Sequence, residues 1–261
     1  PGTRPPHRWA TCRRGAPRHR PPHRPADRGV PATTIDLITA LDLYHRYADE
    51  LCAARYAQRA LLASGRRMRP KLDDIEAELT YLLVRHVRPA RVVEIGAYRG
   101  WSTTWLLRAL ADNGVGELHS YDAADHVRRT VPGELSAARW RFHHGDVRAA
   151  DLDAAAIDYL FVDAAHTASF ARWYVGSLLE RLGRGTPVSV HDVYRRSRAG
   201  RFGEGRVVLD WLAHRGIRHF TASAKAAPEV FEELCATRRV LGLGSPIHRP
   251  APNPMIFFVA K

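Results

Sequence analysis

Short apolar runs alternate with longer amphipathic stretches from residue 91 to the end of the chain. Parallel strands are buried on both faces and are joined by helical crossovers, so this alternation predicts a parallel sheet covered by helices on both faces. Ligands of such sheets bind beyond the carboxyl ends of the strands, and functional residues are expected just after each run. The runs are RVVEI (91–95), ELHSY (117–121), WRFHH (140–144), IDYLFV (157–162), PVSV (187–190), IRHFTA (217–222) and MIFFVA (255–260).

The segment before residue 91 has a helical pattern. Apolar positions from Ile35 to Tyr44 recur at helical spacing, and a second helix is predicted over about residues 72–87, before Pro89. These helices could roof a ligand pocket or form a homodimer interface, and the sequence leaves both roles open. The predicted organisation is a disordered extension (1–31), an N-terminal helical lid or dimerisation segment (32–88) and the main α/β domain (89–261).

Charge adds a second functional possibility. The chain has 261 residues, with 40 Lys and Arg against 27 Asp and Glu. Residues 1–31 hold eight Arg, eight Pro and a single acid, a composition that buries too little apolar surface to offset its ordering entropy. A basic tail leaves open an RNA-binding or RNA-modifying role. Charge alone gives attraction without specificity, which makes nucleic acid the less favoured partner.

Cysteine spacing and hydropathy bear on location. Cys12, Cys52 and Cys235 are few and widely separated, so no disulfide framework is expected. No apolar run approaches the ~18 residues of a membrane span. The sequence therefore predicts a cytoplasmic protein without a membrane partner.

The loop after the first run carries unusual residues. Glu94, Gly96 and Gly100 close the strand, and Ser102 is predicted to be the N-cap of the next helix. Backbone amides at that helix start can receive a carboxylate. A dinucleotide fingerprint has glycine where this chain has Tyr98, which would crowd a pyrophosphate, so a nicotinamide-dependent reductase is disfavoured. The loop favours a ligand with a carboxylate, a cationic group and no phosphate.

Two further acids end the next two runs. Asp122 follows the second run, where an acid typically accepts from ribose hydroxyls, and Asp146 follows the third, where it could accept from an adenine amino group. Each acid alone could be a loop carboxylate or a helix cap. The ordered set of Glu94, Asp122 and Asp146 predicts a site for S-adenosylmethionine (SAM), which carries an amino-acid end, a sulfonium and an adenosine.

Residues 91–192 resemble the class I SAM-dependent methyltransferases through EIGAYRGWST, YD, GDV, DYLFVDAAH and VSVHDV. The chain is most similar to the bacterial branch that includes macrolide-sugar O-methyltransferases and cephalosporin-hydroxylase-like proteins. The resemblance implies a Rossmann-like, seven-stranded, mostly parallel sheet whose last strand is antiparallel, within a SAM-binding methyltransferase domain. The implied cofactor-binding residues are Glu94, Gly96, Tyr98, Gly100, Ser102, Asp122, Asp146, Val147 and Asp163.

Two histidines are the candidate catalytic residues. Asp163 ends the fourth run and His166 follows one turn later; imidazole has an ordinary pKa near 6.5, which suits it to accept a proton from a hydroxyl. His166 could instead cap the following helix or bond to Asp163. His191 and Asp192 end the fifth run, where His191 could be a second acid/base or orienting residue.

A divalent metal is also left open. In metal-dependent relatives, acids at the positions of Asp163 and Asp192 hold Mg²⁺, so the resemblance implies a possible metal there. This chain carries His191 where many relatives have an acid. Imidazole is a poor ligand for Mg²⁺ and a better one for Zn, Fe or Ni.

The combined hypothesis is SAM-dependent O-methyl transfer onto a hydroxyl or carboxylate of a small molecule or peptide-derived natural product. Methylation of nucleobase and amide nitrogens is disfavoured because the fourth run is followed by DAAH and not by an Asn/Asp-Pro-Pro-aromatic tetrapeptide. A carboxylate acceptor is already ionised at pH 7 and needs little base catalysis, whereas an aliphatic hydroxyl needs a proton acceptor.

Overall fold

The computed structural model describes residues 34–194, 199, 203–249 and 254–261. The predicted extension over residues 1–31 lies outside this part of the chain. The strands are β1 (Arg91–Ile95), β2 (Glu117–Asp122), β3 (Trp140–His144), β4 (Tyr159–Val162), β5 (Pro187–Val190), β6 (His219–Phe220) and β7 (Ile256–Val259). The helices are α1 (Leu37–Arg46), α2 (Ala48–Ala63), α3 (Asp74–Val87), α4 (Trp101–Asn113), α5 (Val127–Thr130), α6 (Gly133–Ser136), α7 (Ala168–Ser177), α8 (Glu204–His214) and α9 (Pro228–Val240).

The seven strands form one sheet in the order β3-β2-β1-β4-β5-β7-β6. Strands β1 to β5 are parallel, and β7 is antiparallel to both β5 and β6. This confirms the predicted Rossmann-like, mostly parallel fold with an antiparallel last strand. Ile95 is paired with Tyr121 on one side and Val162 on the other. The carboxyl ends of β1, β2 and β4 are therefore level, which places the residues that follow them at one edge.

Hydrophobic side chains fill both faces of the sheet. On one face α1 to α4 and α9 pack against it, and Trp105 of α4 lies edge-on to Tyr81 of α3 with ring centroids 6.1 Å apart. On the other face α7 and α8 cover the sheet. Among the described helices, none is long and apolar enough to cross a membrane.

The N-terminal region contains three helices among its described residues, whereas the sequence predicted two. Helix α3 matches the prediction over about residues 72–87, and Asp73 and Glu76 form its capping box. Helix α2 was missed because its packed face includes polar residues. Arg55 and Gln58 are 4% and 0% exposed, so the helix lacks a continuous apolar stripe. The proposed boundary between residues 32–88 and the main domain stays a prediction.

A buried ionic cluster joins α2, α3 and α9. Arg55 and Arg238 both contact the carboxylate of Glu78, with the Arg238 Nε atom 2.7 Å from Glu78 Oε2. Asp74 lies 3.2 Å from Arg55 and accepts the backbone N–H of Ile247. Burial lowers the pKa of Arg55 to about 10, although the nearby Asp74 carboxylate opposes this shift. The cluster holds α2 and α3 to α9, and each buried charge is compensated by opposite charges on the other helices.

A second buried carboxylate ties α4 to the sheet. Glu94 of β1 is fully buried and accepts hydrogen bonds from Ser102, Thr103 and Ser120 at 2.6, 2.8 and 2.6 Å. Burial raises the pKa of Glu94 to about 7, and the three hydroxyl donors limit this rise. Ser102 is inside the first turn of α4, and Gly100, with φ +79°, is at the N-cap. The prediction of Ser102 as N-cap was therefore wrong, because its hydroxyl is taken by the carboxylate beneath it.

The ionic cluster gives a test of stability. Arg238→Ala is expected to lower the free energy of unfolding by about 3–5 kcal/mol, because it leaves Glu78 and Asp74 buried with one cation fewer. Arg239→Ala, at the exposed neighbouring position, is the matched control and should change it by less than about 0.5 kcal/mol. Urea unfolding followed by circular dichroism measures both. Equal losses in the two variants would contradict the assignment.

Glu94 gives a test of pH dependence. Its folded-state pKa of about 7 lies above the ordinary 4.5, so the unfolded chain releases this proton first as pH rises. The contribution of Glu94 to stability is therefore full below about pH 4.5 and falls by about 3 kcal/mol by pH 7. Glu94→Gln should remove that part of the pH dependence, while Glu134→Gln, at an exposed glutamate, should keep it. Urea unfolding between about pH 4.5 and pH 7 measures this dependence. An equal loss of stability with rising pH in the wild type and in Glu94→Gln would refute the prediction.

Candidate functional site

The loops after β1 and β4 approach each other closely at Gly96. This residue has φ +92°, and a Cβ atom there would lie 1.9 Å from the backbone oxygen of Asp163. Only glycine allows this approach without moving the backbone. The close contact brings the β1–α4 loop beside Asp163, as the sequence prediction of a shared edge requires.

Asp122 fixes the β1–α4 loop by accepting hydrogen bonds from its backbone. Its Oδ2 atom accepts the backbone N–H groups of Ala97 and Tyr98 at 2.9 and 2.6 Å, and Oδ1 accepts that of Ala124 at 2.8 Å. A carboxylate has about four acceptor positions, so three are used by the backbone. Tyr98 is held at φ +44°, a left-handed conformation that is costly for a residue with a side chain.

A small pocket opens between this loop and the segment that joins α2 to α3. Two cations flank the exposed Tyr98: Lys71 Nζ lies 5.6 Å and Arg99 5.8 Å from the ring centroid. Sequence reasoning missed Arg69 and Lys71 as site residues, although the basic run RRMRPK was a usable signal. The pocket is lined by Arg69, Lys71, Leu72, Gly96, Ala97, Tyr98, Arg99, Trp101, Ser102 and Asp163.

Three predicted cofactor residues have other contacts. Glu94 lies beneath the loop, with its carboxylate bound by hydroxyls. Asp146 is exposed and pairs with the Arg148 guanidinium at 2.6 Å, which lowers the pKa of that carboxyl. Val147 is buried in the second hydrophobic cluster. Contacts of these three residues with a cofactor stay predictions.

The predicted catalytic and metal residues lie together at the ends of β4 and β5. Asp163, His166, His191 and Asp192 can each offer one ligand atom within 4.8 Å of the others. His166 Nε2 is 3.4 Å from Asp163 Oδ1 and 3.1 Å from Asp192 Oδ2. His191 Nδ1 is 3.0 Å from Asp163 Oδ1 and 3.6 Å from Asp192 Oδ1.

The local backbone is strained at this cluster. His166 has φ +45° and Asp192 φ +61°, both in the left-handed region. Such conformations cost about 1–3 kcal/mol each and cluster at functional sites. Thr167 is the N-cap of α7, with its hydroxyl accepting from the Phe170 N–H at 3.2 Å. The alternative that His166 caps this helix was therefore wrong.

Two buried glutamates stand behind the histidines. Glu204, at the start of α8, lies 2.9 Å from His166 Nδ1 and accepts the hydroxyl of Tyr174 at 2.9 Å. Glu76 Oε2 lies 3.5 Å from His191 Nε2. Sequence reasoning missed both, because Glu204 follows an Arg- and Gly-rich loop and Glu76 looks like an ordinary capping residue.

Charge controls the protonation of both histidines. Burial alone would lower the pKa of His166, but Glu204, Asp192 and Asp163 together raise it above its ordinary value. Burial alone would also lower the pKa of His191. The carboxylates of Asp163 and Glu76 outweigh burial and raise this pKa well above its ordinary value. Burial acts to raise the pKa of Asp163, but the two imidazoles outweigh it and lower the pKa. The carboxylates of the cluster therefore favour the charged form of both imidazoles.

Comparisons with known proteins show what this chain is similar to. Residues 93–193 match a family model described as a methyltransferase domain. No curated protein matches the sequence. A putative O-methyltransferase from Klebsiella pneumoniae is similar in structure, with a TM-score of 0.50, 16% identity, and coverage of 86% of this chain and 89% of that chain. Cofactor-bound Rv0187 from MTB has a TM-score of 0.51 and 15% identity, covering 81% of this chain and 90% of that chain.

These likenesses establish the fold, and the matched segment contains both the loop around Gly96 and the cluster around Asp163. The seven-stranded, mostly parallel sheet and the antiparallel β7 are those that the resemblance implied. Residues 93–193 are therefore similar to the methyltransferase domain, and the fold is that of the structural relatives.

Proposed function

We propose that this methyltransferase transfers the methyl group of SAM to an oxygen atom of a small molecule or peptide-derived natural product. One observation carries the proposal: Asp163 lines the pocket at the start of α4 and also belongs to the cluster with His166 and His191. An acceptor hydroxyl or carboxylate at the cluster would therefore lie next to the cofactor pocket. The Klebsiella relative is named a putative O-methyltransferase, which is consistent with this proposal.

The residues around the pocket suit SAM. Arg69, Lys71 and Arg99 are cations that can attract the carboxylate of its amino-acid end, and no pyrophosphate has to pass Tyr98. Asp122 keeps about one acceptor position for a ribose hydroxyl. SAM supplies a methyl group already activated by the sulfonium.

The chain's own task is to position the acceptor and take its proton. His166 suits the second part because its side chain is 29% exposed, whereas that of His191 is 7% exposed. Glu204 fixes the His166 ring through Nδ1, which leaves Nε2 facing the cluster. The arrangement follows the general pattern of a base oriented by a carboxylate. For a carboxylate acceptor the same residues would only orient the oxygen, since no proton is removed.

The proposal also covers the oligomeric state, the cellular location and the nucleic-acid alternative. Ile38 of α1 and Tyr56 of α2 are 79% and 75% exposed, which favours a homodimer contact through the N-terminal helices. Cytoplasmic location stays a proposal from composition. The RNA-binding alternative depended on the Arg-rich residues 1–31, which lie outside the described residues, and no described feature favours it.

Cofactor binding can be tested directly. Isothermal titration calorimetry of the full chain should detect binding of SAM and no binding of NAD. Gly96→Ala should weaken SAM binding by at least about tenfold, because the new Cβ atom forces the β1–α4 loop away from Asp163. Gly176→Ala, where a Cβ atom meets nothing within 4 Å, is the control. Binding of NAD, or failure of the wild type to bind SAM, would sink the proposal.

The acceptor class can be tested through His166. His166→Ala should lower kcat by about 10²–10⁴-fold for hydroxyl acceptors, because general-base catalysis is lost. The same change should cost less than about tenfold for carboxylate acceptors, which are ionised at neutral pH. Formation of the demethylated cofactor is measured across a panel of aliphatic hydroxyl, phenol and carboxylate compounds. His214→Ala, on the exposed end of α8, is the matched control. Equal loss for both classes would contradict the role of His166 as base.

A further inference from the structure

Positive charge is concentrated at the mouth of the pocket beside α4. Three cations, which we call the basic rim, line this pocket: Arg69 and Lys71 from the segment that joins α2 to α3, and Arg99 from the β1–α4 loop. Among the described residues that line the pocket, Asp163 is the one acid. Its carboxylate already lies beside two imidazoles. The mouth of the pocket therefore has an excess of positive charge.

Tyr98 contacts the basic rim with both its ring and its hydroxyl. Lys71 Nζ lies 5.6 Å and the guanidinium carbon of Arg99 5.8 Å from the ring centroid, within the ~6 Å range of a cation–π contact. Arg99 and, to a smaller extent, Arg69 hydrogen-bond to the Tyr98 hydroxyl and lower its pKa below the ordinary value. The strained Tyr98, with φ +44°, therefore holds the three cations close together.

The cofactor alone does not account for the basic rim. At pH 7 SAM has one carboxylate, one ammonium and one sulfonium group, so it carries one net positive charge. A single cation can pair with its carboxylate, and further cations repel the rest of the molecule. A second ligand with a negative charge would remove this repulsion.

Two buried N–H donors in the same pocket lack acceptors among the described residues. They are Nε1 of Trp101, a residue that is 2% exposed, and Nε of Arg99. Both residues line the pocket. A buried donor without an acceptor is unfavourable, and a ligand with several oxygen atoms would supply acceptors. The unmet donors and the excess charge therefore both favour an anionic ligand.

We propose that the acceptor carries a carboxylate or phosphate group in addition to the oxygen that is methylated, and that Arg69 and Lys71 bind this anionic group. As an inference that rests on the proposed function, it narrows the substrate class to anionic small molecules. The planar guanidinium of Arg69 can bind two oxygens of either group at once, and Lys71 adds a compact point charge.

Lys71 connects the basic rim to the cluster at the ends of β4 and β5. Burial acts to raise the pKa of Asp163, but the imidazoles of His191 and His166 lower it, and the Lys71 ammonium adds to this lowering. The charge of Lys71 is therefore close enough to act on Asp163. One small molecule can thus place its anionic group at Lys71 and its methylated oxygen at the cluster.

The anion site is tested on the full chain saturated with S-adenosylhomocysteine, the demethylated cofactor, whose carboxylate then occupies its own position. Isothermal titration calorimetry should show one molecule of benzoate or phenyl phosphate per chain. The tighter of these anions should bind at least about tenfold more tightly than benzamide, the neutral analogue of benzoate. Which of the two binds more tightly distinguishes a carboxylate group from a phosphate group.

Variants test the assignment to Arg69 and Lys71. Lys71→Ala and Arg69→Ala should each weaken binding of the tighter anion by about tenfold or more, because a charge-assisted hydrogen bond is lost. Lys71→Arg keeps the charge and should retain binding within about threefold. Arg239→Ala, at an exposed arginine of α9, is the matched control and should bind the anion as the wild type does.

Kinetics add a readout that loss of structure would not give. For an anionic acceptor that the wild type methylates, Lys71→Ala should raise KM by about tenfold and leave kcat within about threefold. The anionic group is bound equally before and during methyl transfer, so its loss affects binding alone.

Several results would overturn the inference. Equal affinity for benzoate, phenyl phosphate and benzamide, or equal losses in Lys71→Ala and Arg239→Ala, would each do so. Anion binding only in the absence of S-adenosylhomocysteine would assign the basic rim to the cofactor carboxylate alone. A single-stranded RNA that loses more affinity in Lys71→Ala than the small anions do would assign it to a polyanion. Failure of the wild type to bind SAM and S-adenosylhomocysteine contradicts the proposed function itself, whereas cofactor binding without anion binding contradicts only this inference.

Discussion

The close approach of Gly96 to the backbone oxygen of Asp163 is the constraint on which the site depends. A side chain at residue 96 would collide with this oxygen, so the loops after β1 and β4 can meet only at glycine. The contact sets Asp163 at the boundary between the pocket at the start of α4 and the cluster with His166 and His191. One residue therefore lines both the pocket and the cluster, which are the cofactor site and the acceptor site of the proposed function.

Buried carboxylates organise the rest of the molecule, and their partners differ with location. Glu94 accepts hydrogen bonds from three hydroxyls and holds α4 to the sheet. Glu78 contacts two arginines and holds the N-terminal helices in place. Glu76 and Glu204 have imidazoles beside them and serve the site. An isolated buried carboxylate would cost several kcal/mol, so each of these groups specifies its neighbours as well as its own position.

The sheet could be predicted from the sequence because its signal is local. Each buried strand is a short apolar run, and the antiparallel β7 agrees with the family resemblance. Helix α2 was missed because burial of Arg55 depends on Glu78, which lies on another helix. The N-cap was misassigned because Ser102 donates to Glu94, a partner eight positions earlier that only the folded chain presents. Asp163, His166, His191 and Asp192 were predicted since they follow strands, whereas Glu204 reaches the cluster only through the packing of α7 against α8.

The two histidines show how one cluster can hold distinct chemistries. His166 has a hydrogen-bonded nitrogen and a partly exposed ring, features that suit a group which must exchange a proton with an incoming molecule. His191 is enclosed and lies 3.0 Å from Asp163 and 3.5 Å from Glu76, and these carboxylates raise its pKa well above the ordinary value, features that suit a group which keeps a positive charge. The difference in burial therefore distinguishes His166, which is suited to exchanging a proton, from His191, which is suited to keeping a fixed charge. Because both rings lie beside Asp163, the positive charge on His191 also contributes to the electrostatic field in which His166 works.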